Sequence, residues 1–197
     1  MRLLLASKSP ARRAMLEAAG VPFEAVEAPF DEEEAKAALR GRGANAADLA
    51  IGLAEEKARS VIAPDDVLVL GSDQTLERHD GATLDKPGSR EEAHAQLLSL
   101  AGRTHRLHSA AVIIDDGKAV WWKTEHVELK MRPLGDAFLE AYLAAEYEAI
   151  RGSVGGYRIE GLGVQMFDRI KGSHFAILGL PLLPLLAYLR ERGLILG

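Results

Sequence analysis

Two stretches of this sequence place chemically useful side chains where the chain must turn. The first is Leu3-Leu4-Leu5-Ala6-Ser7-Lys8-Ser9-Pro10-Ala11-Arg12-Arg13. Its apolar start reads as a short buried strand. Ser9 followed by Pro10 reads as a helix start, with Ser as N-cap and Pro at the first helical position. Unpaired backbone N–H groups and the positive helix end therefore meet Lys8, Arg12 and Arg13. That combination suits an anion, phosphate above all. It is equally the description of an ordinary strand–turn–helix with surface cations. The spacing is not that of a Walker loop.

The second stretch is Val67-Leu68-Val69-Leu70-Gly71-Ser72-Asp73-Gln74. The apolar run is the clearest buried strand in the chain, and we expect it to end at the Gly-Ser-Asp-Gln. In open α/β sheets ligands bind beyond the carboxyl ends of strands. Asp73 then stands where a catalytic or metal-binding carboxylate is found, or simply caps a turn. A third residue joins these two stretches. A helix predicted over about Ala46 to Ile62 carries the apolar stripe Ala50, Leu53, Ala54, Ala58 and Val61, and Lys57 falls on that stripe. A lysine there either snorkels at the stripe's edge or points inward toward an anion.

The elements that must position these groups follow in order. The first helix should stop at Gly20, with Pro22 just beyond. Asp31 to Glu34 is an acidic run, and residues 36–44 read as a loop or weak helix. Lys86-Pro87 sits in a stiff loop after a polar turn around Asp80-Gly81. Ser89 and Glu92 have capping-box spacing for a helix that ends at Gly102. Residues 104–114 and 119–131 alternate as strands joined at Asp115-Asp116-Gly117-Lys118. His105, His108 and His126 have no metal-ligand spacing and read as structural. Of Trp121 and Trp122, one packs in the core and the other covers an edge. A helix over about Asp136 to Glu148 leads into the glycine-rich Arg151 to Tyr157. A strand at Ala176 to Leu178 and a last helix closing at Gly193 end the chain.

The 197 residues suit one domain, spanning 1–197, and 48% hydrophobic content is ample for its core. A net charge of −5 argues against non-specific nucleic-acid binding. The absence of Cys removes disulfides and thiolate zinc sites. The first apolar run is too short for a signal peptide. The greasiest segment, Phe175 to Leu189, is broken by Gly179, Pro181 and Pro184 and is too short to span a membrane. A cytoplasmic protein without membrane or nucleic-acid partners is the expectation.

Taken together, the stretches resemble the Maf family of nucleoside triphosphate pyrophosphatases over nearly the whole chain. Ser7, Ser9, Pro10 and Arg12 are similar to its Ser-x-Ser-Pro-x-Arg motif. Asp31-Glu32, Leu53-Ala54 with Lys57-Ala58, Gly71-Ser72-Asp73 and Lys86-Pro87 follow in the family's order. So do Gly102 to His105, Gly155 to Tyr157, Gly172-Ser173 and Gly179-Leu180-Pro181. Each motif alone is weak; their collinear run is strong.

The resemblance implies an α/β fold with an elongated mixed β-sheet flanked by helices, in two lobes around a central cleft. It implies cleavage of a nucleoside triphosphate to monophosphate and pyrophosphate with Mg²⁺ or Mn²⁺. Asp73 would activate water. Ser9, Arg12, Lys57 and Lys86 would hold the triphosphate, and Glu32 with Asp73 would hold the metal. Ala11, Gln74 and Glu160 depart from the commonest pattern, as does Ser153. Gln74 and Glu160 look like the branch that prefers 7-methyl-GTP to dTTP and UTP, whereas Ala11 stands where that branch often has Trp. A carboxylate suits guanine, because it accepts from both N1–H and N2–H₂. The expected partner is the small-molecule nucleotide, with self-association into a homodimer left open. The competing readings are a dTTP/UTP pyrophosphatase, a nucleotide-binding regulator of cell division without turnover, and a nucleotidyltransferase.

Overall fold

The computed structural model describes residues 1–196. Its elements are β1 (Arg2–Ala6), α1 (Pro10–Ala18), β2 (Glu24–Val26), α2 (Glu32–Gly41), α3 (Ala46–Arg59), β3 (Val67–Glu77), β4 (Thr83–Leu84) and α4 (Arg90–Leu100). They continue with β5 (Thr104–Asp115), β6 (Lys118–Met131), α5 (Asp136–Ile150), β7 (Phe167–Lys171), α6 (His174–Ile177) and α7 (Leu182–Glu191). Short 3₁₀ turns cover Val154–Gly156 and Leu162–Met166. The strands form one mixed sheet in the order β2-β1-β3-β5-β6-β7, with β4 beside β3. β1 runs parallel to β2 and β3, while β4 and β7 run antiparallel to their neighbours. The fold is thus the mixed α/β sheet flanked by helices that the resemblance implies. Among the described residues no helix is long and apolar enough to cross a membrane.

The chain divides into two compact units. Among the described residues the first comprises 1–74, 108–126 and 173–196; the second comprises Thr75–Leu107 and Val127–Gly172. In the first unit β3 is buried on both faces, and its alternation sorts two cores. Leu68 and Leu70 pack with Leu3 and Leu5 of β1, Met15 and Leu16 of α1, and Leu185 and Leu189 of α7. Val69 packs on the other side with Ala50, Ala54 and Ala58 of α3. Alanine at three stripe positions lets α3 lie close on the strand. In the second unit Leu76, Leu97, Leu100, Leu129, Met131, Leu139 and Leu143 are buried. Ser89 Oγ caps α4 by accepting from Glu92 N, and the Glu92 carboxylate accepts from Gly88 N rather than closing the box on Ser89.

Three expectations need correction. β3 does not end at Leu70; it continues through Asp73 to Glu77, because β4 pairs with it at Leu76 and Glu77. What ends there is β1, whose last residue, Ala6, is opposite Gly71. Asp73 therefore lies two residues past the end of its neighbouring strand, not past the end of its own. Residues 36–44 are no weak helix or loop at their start: α2 is a regular helix begun by Asp31, whose carboxylate accepts from Glu33 N and Glu34 N. Ala176 to Leu178 is no strand. The segment is the one-turn helix α6, closed by Leu178 N donating to His174 O. A short apolar run does not reveal its period. β2 was unmarked in the sequence, and α3 stops at Arg59, short of Ile62.

Candidate active site

The carboxyl end of β1 delivers the chain into α1 as the sequence implied. Ser9 caps α1, its Oγ accepting from Arg12 N at 3.4 Å. Ser7 Oγ accepts from Ser9 N at 3.2 Å and from Arg12 Nη1 at 3.3 Å. Of the three cations singled out here, only Arg12 is buried. Lys8 pairs with Glu27 at the surface, and Arg13 donates to the Ser7 carbonyl at 3.4 Å. Arg12 Nε donates to the Gly179 carbonyl at 2.8 Å. Burial lowers the guanidinium pKa below its ordinary value, opposed by the charges of Asp73 and Glu32. A buried cation with a carbonyl on one edge and a serine on another is oriented rather than merely present.

Lys57 is turned inward. It is buried on α3, and its Nζ hydrogen-bonds Asp73 Oδ1 and stands 3.1 Å from Glu32 Oε2. The ammonium also lies 5.5 Å from the centre of the Phe30 ring. Snorkelling is therefore excluded. The approach that allows this is a main-chain one. A Cβ on Gly71 would stand 1.9 Å from the Ala54 carbonyl oxygen. Only glycine lets β3 and α3 come so near, two residues from Asp73 on the same face of the strand. Glu32 is held from the other side by Lys36, whose Nζ is 3.2 Å from Oε1 and which also pairs with Glu33 at 2.9 Å. The order Lys36–Glu32–Lys57–Asp73 is an alternating chain of charges.

The opposite face of β3 is occupied differently. Ser72 Oγ lies 2.7 Å from the Ala110 carbonyl and 3.0 Å from that of Gly179. Gln74 Nε2 donates toward Ser109 Oγ at 2.8 Å, Ala176 O at 2.9 Å and Ile177 O at 3.0 Å. Ala11, at the start of α1, is half-buried.

The structure thus brings together Ser9, Arg12, Glu32, Lys57, Asp73 and Gln74 in the first unit. Lys86 and Glu160 belong to the second. Lys86 is exposed beside buried Pro87, and its loop is held by Gln96 Nε2 donating to the Asp85 carbonyl at 3.1 Å. Glu160 is exposed on a turn fixed at both ends. Tyr157 Oη lies 2.7 Å from His105 Nε2, Arg158 Nε donates to Glu146 Oε2 at 2.6 Å, and Leu162 N donates to Glu146 Oε1 at 3.4 Å.

Lys36 is not singled out in the sequence, and Ser72, Gly179 and Gly71 stand there as members of motifs, without a role in the site. Lys36 stands four residues after Glu32, a spacing that on a helix brings the two side chains together. Alternation along a strand is the signal that would have set Ser72 on the face opposite Asp73.

Chemically, two carboxylates converge on one cation position beside an oriented guanidinium. Among the described residues no group of three or more His, Cys, Asp or Glu side chains could hold a metal. The two carboxylates, Glu32 and Asp73, are oxygen donors of the kind that Mg²⁺ or Mn²⁺ takes, its remaining ligands coming from water or phosphate.

A family model described as "Maf-like protein" matches residues 2–192. The chain is 47% identical over 195 residues, 98% of each chain, to a protein of Sphingopyxis alaskensis named nucleoside triphosphate pyrophosphatase. It is 46% identical over 194 residues, 98% of this chain and 97% of the other, to a protein of Rhizobium meliloti named 7-methyl-GTP pyrophosphatase. Among solved structures, a HAM1 protein from Coxiella burnetii is similar with a TM-score of 0.45 and 14% identity, over 66% of this chain and 73% of that one.

Proposed function

The chain belongs to the Maf family, and from that membership we propose that it hydrolyses a nucleoside triphosphate to the monophosphate and pyrophosphate, with 7-methyl-GTP preferred. The observation that carries the reaction is the buried Lys57–Asp73 contact beside Glu32 and the anchored Arg12. A protein that only bound nucleotide would gain nothing from a carboxylate facing the phosphates.

Asp73 takes a proton from water as the water oxygen bonds to the α-phosphorus. The bond from that phosphorus to the bridging oxygen breaks, and pyrophosphate leaves with the electron pair. Arg12, Lys57 and Ser9 receive the triphosphate oxygens and the charge that builds on them. Lys86 is a further cation for the triphosphate on the strength of the family motif. Glu32 and Asp73 would hold a divalent cation, which supplies polarisation of a phosphoryl oxygen when bound. When substrate arrives, Lys57 exchanges part of its carboxylate contact for phosphate, leaving Asp73 available to water. The whole of 1–197 acts as one catalytic domain on a small-molecule substrate in the cytoplasm.

Glu160 reads the base. Its ionised carboxylate accepts from N1–H and N2–H₂ of guanine, and the positive charge of a 7-methylated ring favours it further. Thymine and uracil offer one donor between two acceptors, which a carboxylate matches poorly.

The test is a panel of 7-methyl-GTP, GTP, dTTP and UTP with separate detection of pyrophosphate and orthophosphate. Pyrophosphate is expected, with the highest kcat/KM for 7-methyl-GTP, and Glu160→Gln should lower that value relative to dTTP and UTP. Orthophosphate with a nucleoside diphosphate would overturn the reaction. Pyrophosphate with dTTP or UTP ranked first would overturn the base assignment alone.

A further inference from the structure

The residues on either side of Asp73 do work that its own role does not explain. Ser72 and Gln74 point away from Asp73, because alternate side chains leave a strand on opposite faces. Both reach the same short piece of chain, the carboxyl end of α6 and the turn after it. Gln74 Nε2 reaches the Ala176 and Ile177 carbonyls, and Ser109 Oγ donates to Ala176 O at 2.6 Å. Two carbonyls within hydrogen-bond reach identify that end of the Gln74 amide as its NH₂. Ser72 Oγ, with one hydrogen to share, lies between the Ala110 carbonyl at 2.7 Å and the Gly179 carbonyl at 3.0 Å, and the latter is the oxygen that takes Arg12 Nε. Gly179 itself has φ of 97° and leaves 3.2 Å between its ideal Cβ position and Arg12 Nη2, so a side chain there would be strained and would crowd the guanidinium.

We propose that Ser72 and Gln74 are positioning residues: they hold the Ala176–Gly179 turn so that the Gly179 carbonyl fixes the Arg12 guanidinium for the triphosphate. This rests on the reading of Arg12 given above. It assigns Gln74 a task distinct from touching the base. Its amide hydrogens are committed to the Ala176 and Ile177 carbonyls of α6 and to Ser109 Oγ, and it acts on substrate through Arg12, not directly. One strand thus carries the general base on one face and the anchor of the phosphate-binding arginine on the other. A shift of β3 would move both together, so their mutual distance is kept.

A double-mutant cycle separates this from a merely structural role. Gln74→Met keeps the length and removes the donor; Ser72→Ala removes the hydroxyl at little cost in volume. Each is made alone and on Arg12→Ala, and kcat and KM for 7-methyl-GTP are measured with the thermal midpoint. Each single variant should lower kcat/KM roughly 10- to 100-fold, the scale of a small misplacement of a binding group, with KM rising. On Arg12→Ala the same substitutions should change kcat/KM by no more than about twofold. Losses that persist in full on Arg12→Ala, or single variants with wild-type kcat/KM, overturn the coupling. Should Gln74→Met fail to fold, Ser72→Ala decides by the same criteria. An Arg12→Ala enzyme as active as wild type overturns the reading of Arg12 and this inference together, whereas a persistent loss overturns only this inference.

Discussion

Two charged clusters, one in each unit, are built in opposite ways. In the second, Glu146 and Arg158 close on each other: one carboxylate oxygen takes the guanidinium, the other takes Leu162 N. The hydrogen bond from Arg158 pulls the Glu146 pKa below its ordinary value, against burial, and Glu146 raises that of Arg158. His105 Nε2 and Tyr157 Oη likewise pair at 2.7 Å, with the imidazole buried and neutral and its Nδ1 left without a hydrogen-bond partner. Around Lys57 in the first unit the charges do not close into one pair, although elsewhere in that unit Arg192 and Asp115 do, at 2.7 Å. Lys57 faces two carboxylates, Glu32 faces two lysines, and Arg12 hydrogen-bonds neutral groups while the charges of Asp73 and Glu32 act on it from farther off. A closed pair fixes a turn. An open chain of charges can trade a partner for a phosphate or a metal without leaving a buried ion alone. The difference separates a structural lock from a site.

The comparison is broken most directly at Asp73. Asp73→Asn is nearly isosteric and should fold, yet lose roughly 10²–10⁴-fold in kcat from the missing base. Activity within a few-fold of wild type, read by pyrophosphate release, would make the open chain as structural as the closed pair.

The closed side is sharpened by acid. Burial lowers the His105 pKa from 6.5 to about 4. Between those values the unfolded chain binds the proton that the folded one refuses, so stability rises with pH there. The whole effect is about 3 kcal/mol, fully present above pH 6.5 and lost by about pH 4. Urea unfolding across that range should show the slope in wild type and not in His105→Gln. Below 4.5, the ordinary value for Glu146, its lowered pKa adds a second loss in the same direction.

Glu146→Gln should remove that lower limb and cost about 1–3 kcal/mol, since a charged acceptor is lost beside Arg158. Its effect belongs in the unfolding midpoint. If kcat fell as far as in Asp73→Asn with an unmoved midpoint, the lock would be part of the chemistry. Gly71→Ala is the corresponding test of packing in the first unit. Forcing a methyl toward the Ala54 carbonyl should cost about 1–3 kcal/mol. Because α3 must then move from β3, kcat should fall with it, a pairing of losses that Glu146→Gln should not show.

Much of this was legible in the sequence because it is local. The cap at Ser9, the alanine stripe with Lys57 on it, the hairpin at Asp116-Gly117 and the buried run before Asp73 announce themselves within a few residues. What was illegible depends on partners far away. β3 continues past Leu70 only because β4 pairs with it, and α6 looks like a strand until Leu178 N finds His174 O. The inward turn of Lys57 was one of two readings until Gly71 brought Asp73 under it. Gln74 was expected near the base for its place in a motif; its contacts, made to residues over 100 positions later, could not be read from β3 alone.

The bond from Arg12 to the Gly179 carbonyl spans 167 residues. Around it, Leu3 and Leu5 of the first strand share a core with Leu185 and Leu189 of the last helix. Synthesis proceeds from the amino end, so the turn that carries Arg12 is made 167 residues before the carbonyl that anchors it. Contacts of such separation are slow to form. A nascent chain halted before residue 173 would carry Arg12, Lys57 and Asp73, yet its guanidinium would have no carbonyl to hold it and its first core no lid of leucines. Such a fragment should be inactive and prone to associate through that uncovered core. Competence to act on nucleotide is therefore conferred late, by a backbone oxygen, on side chains synthesised long before.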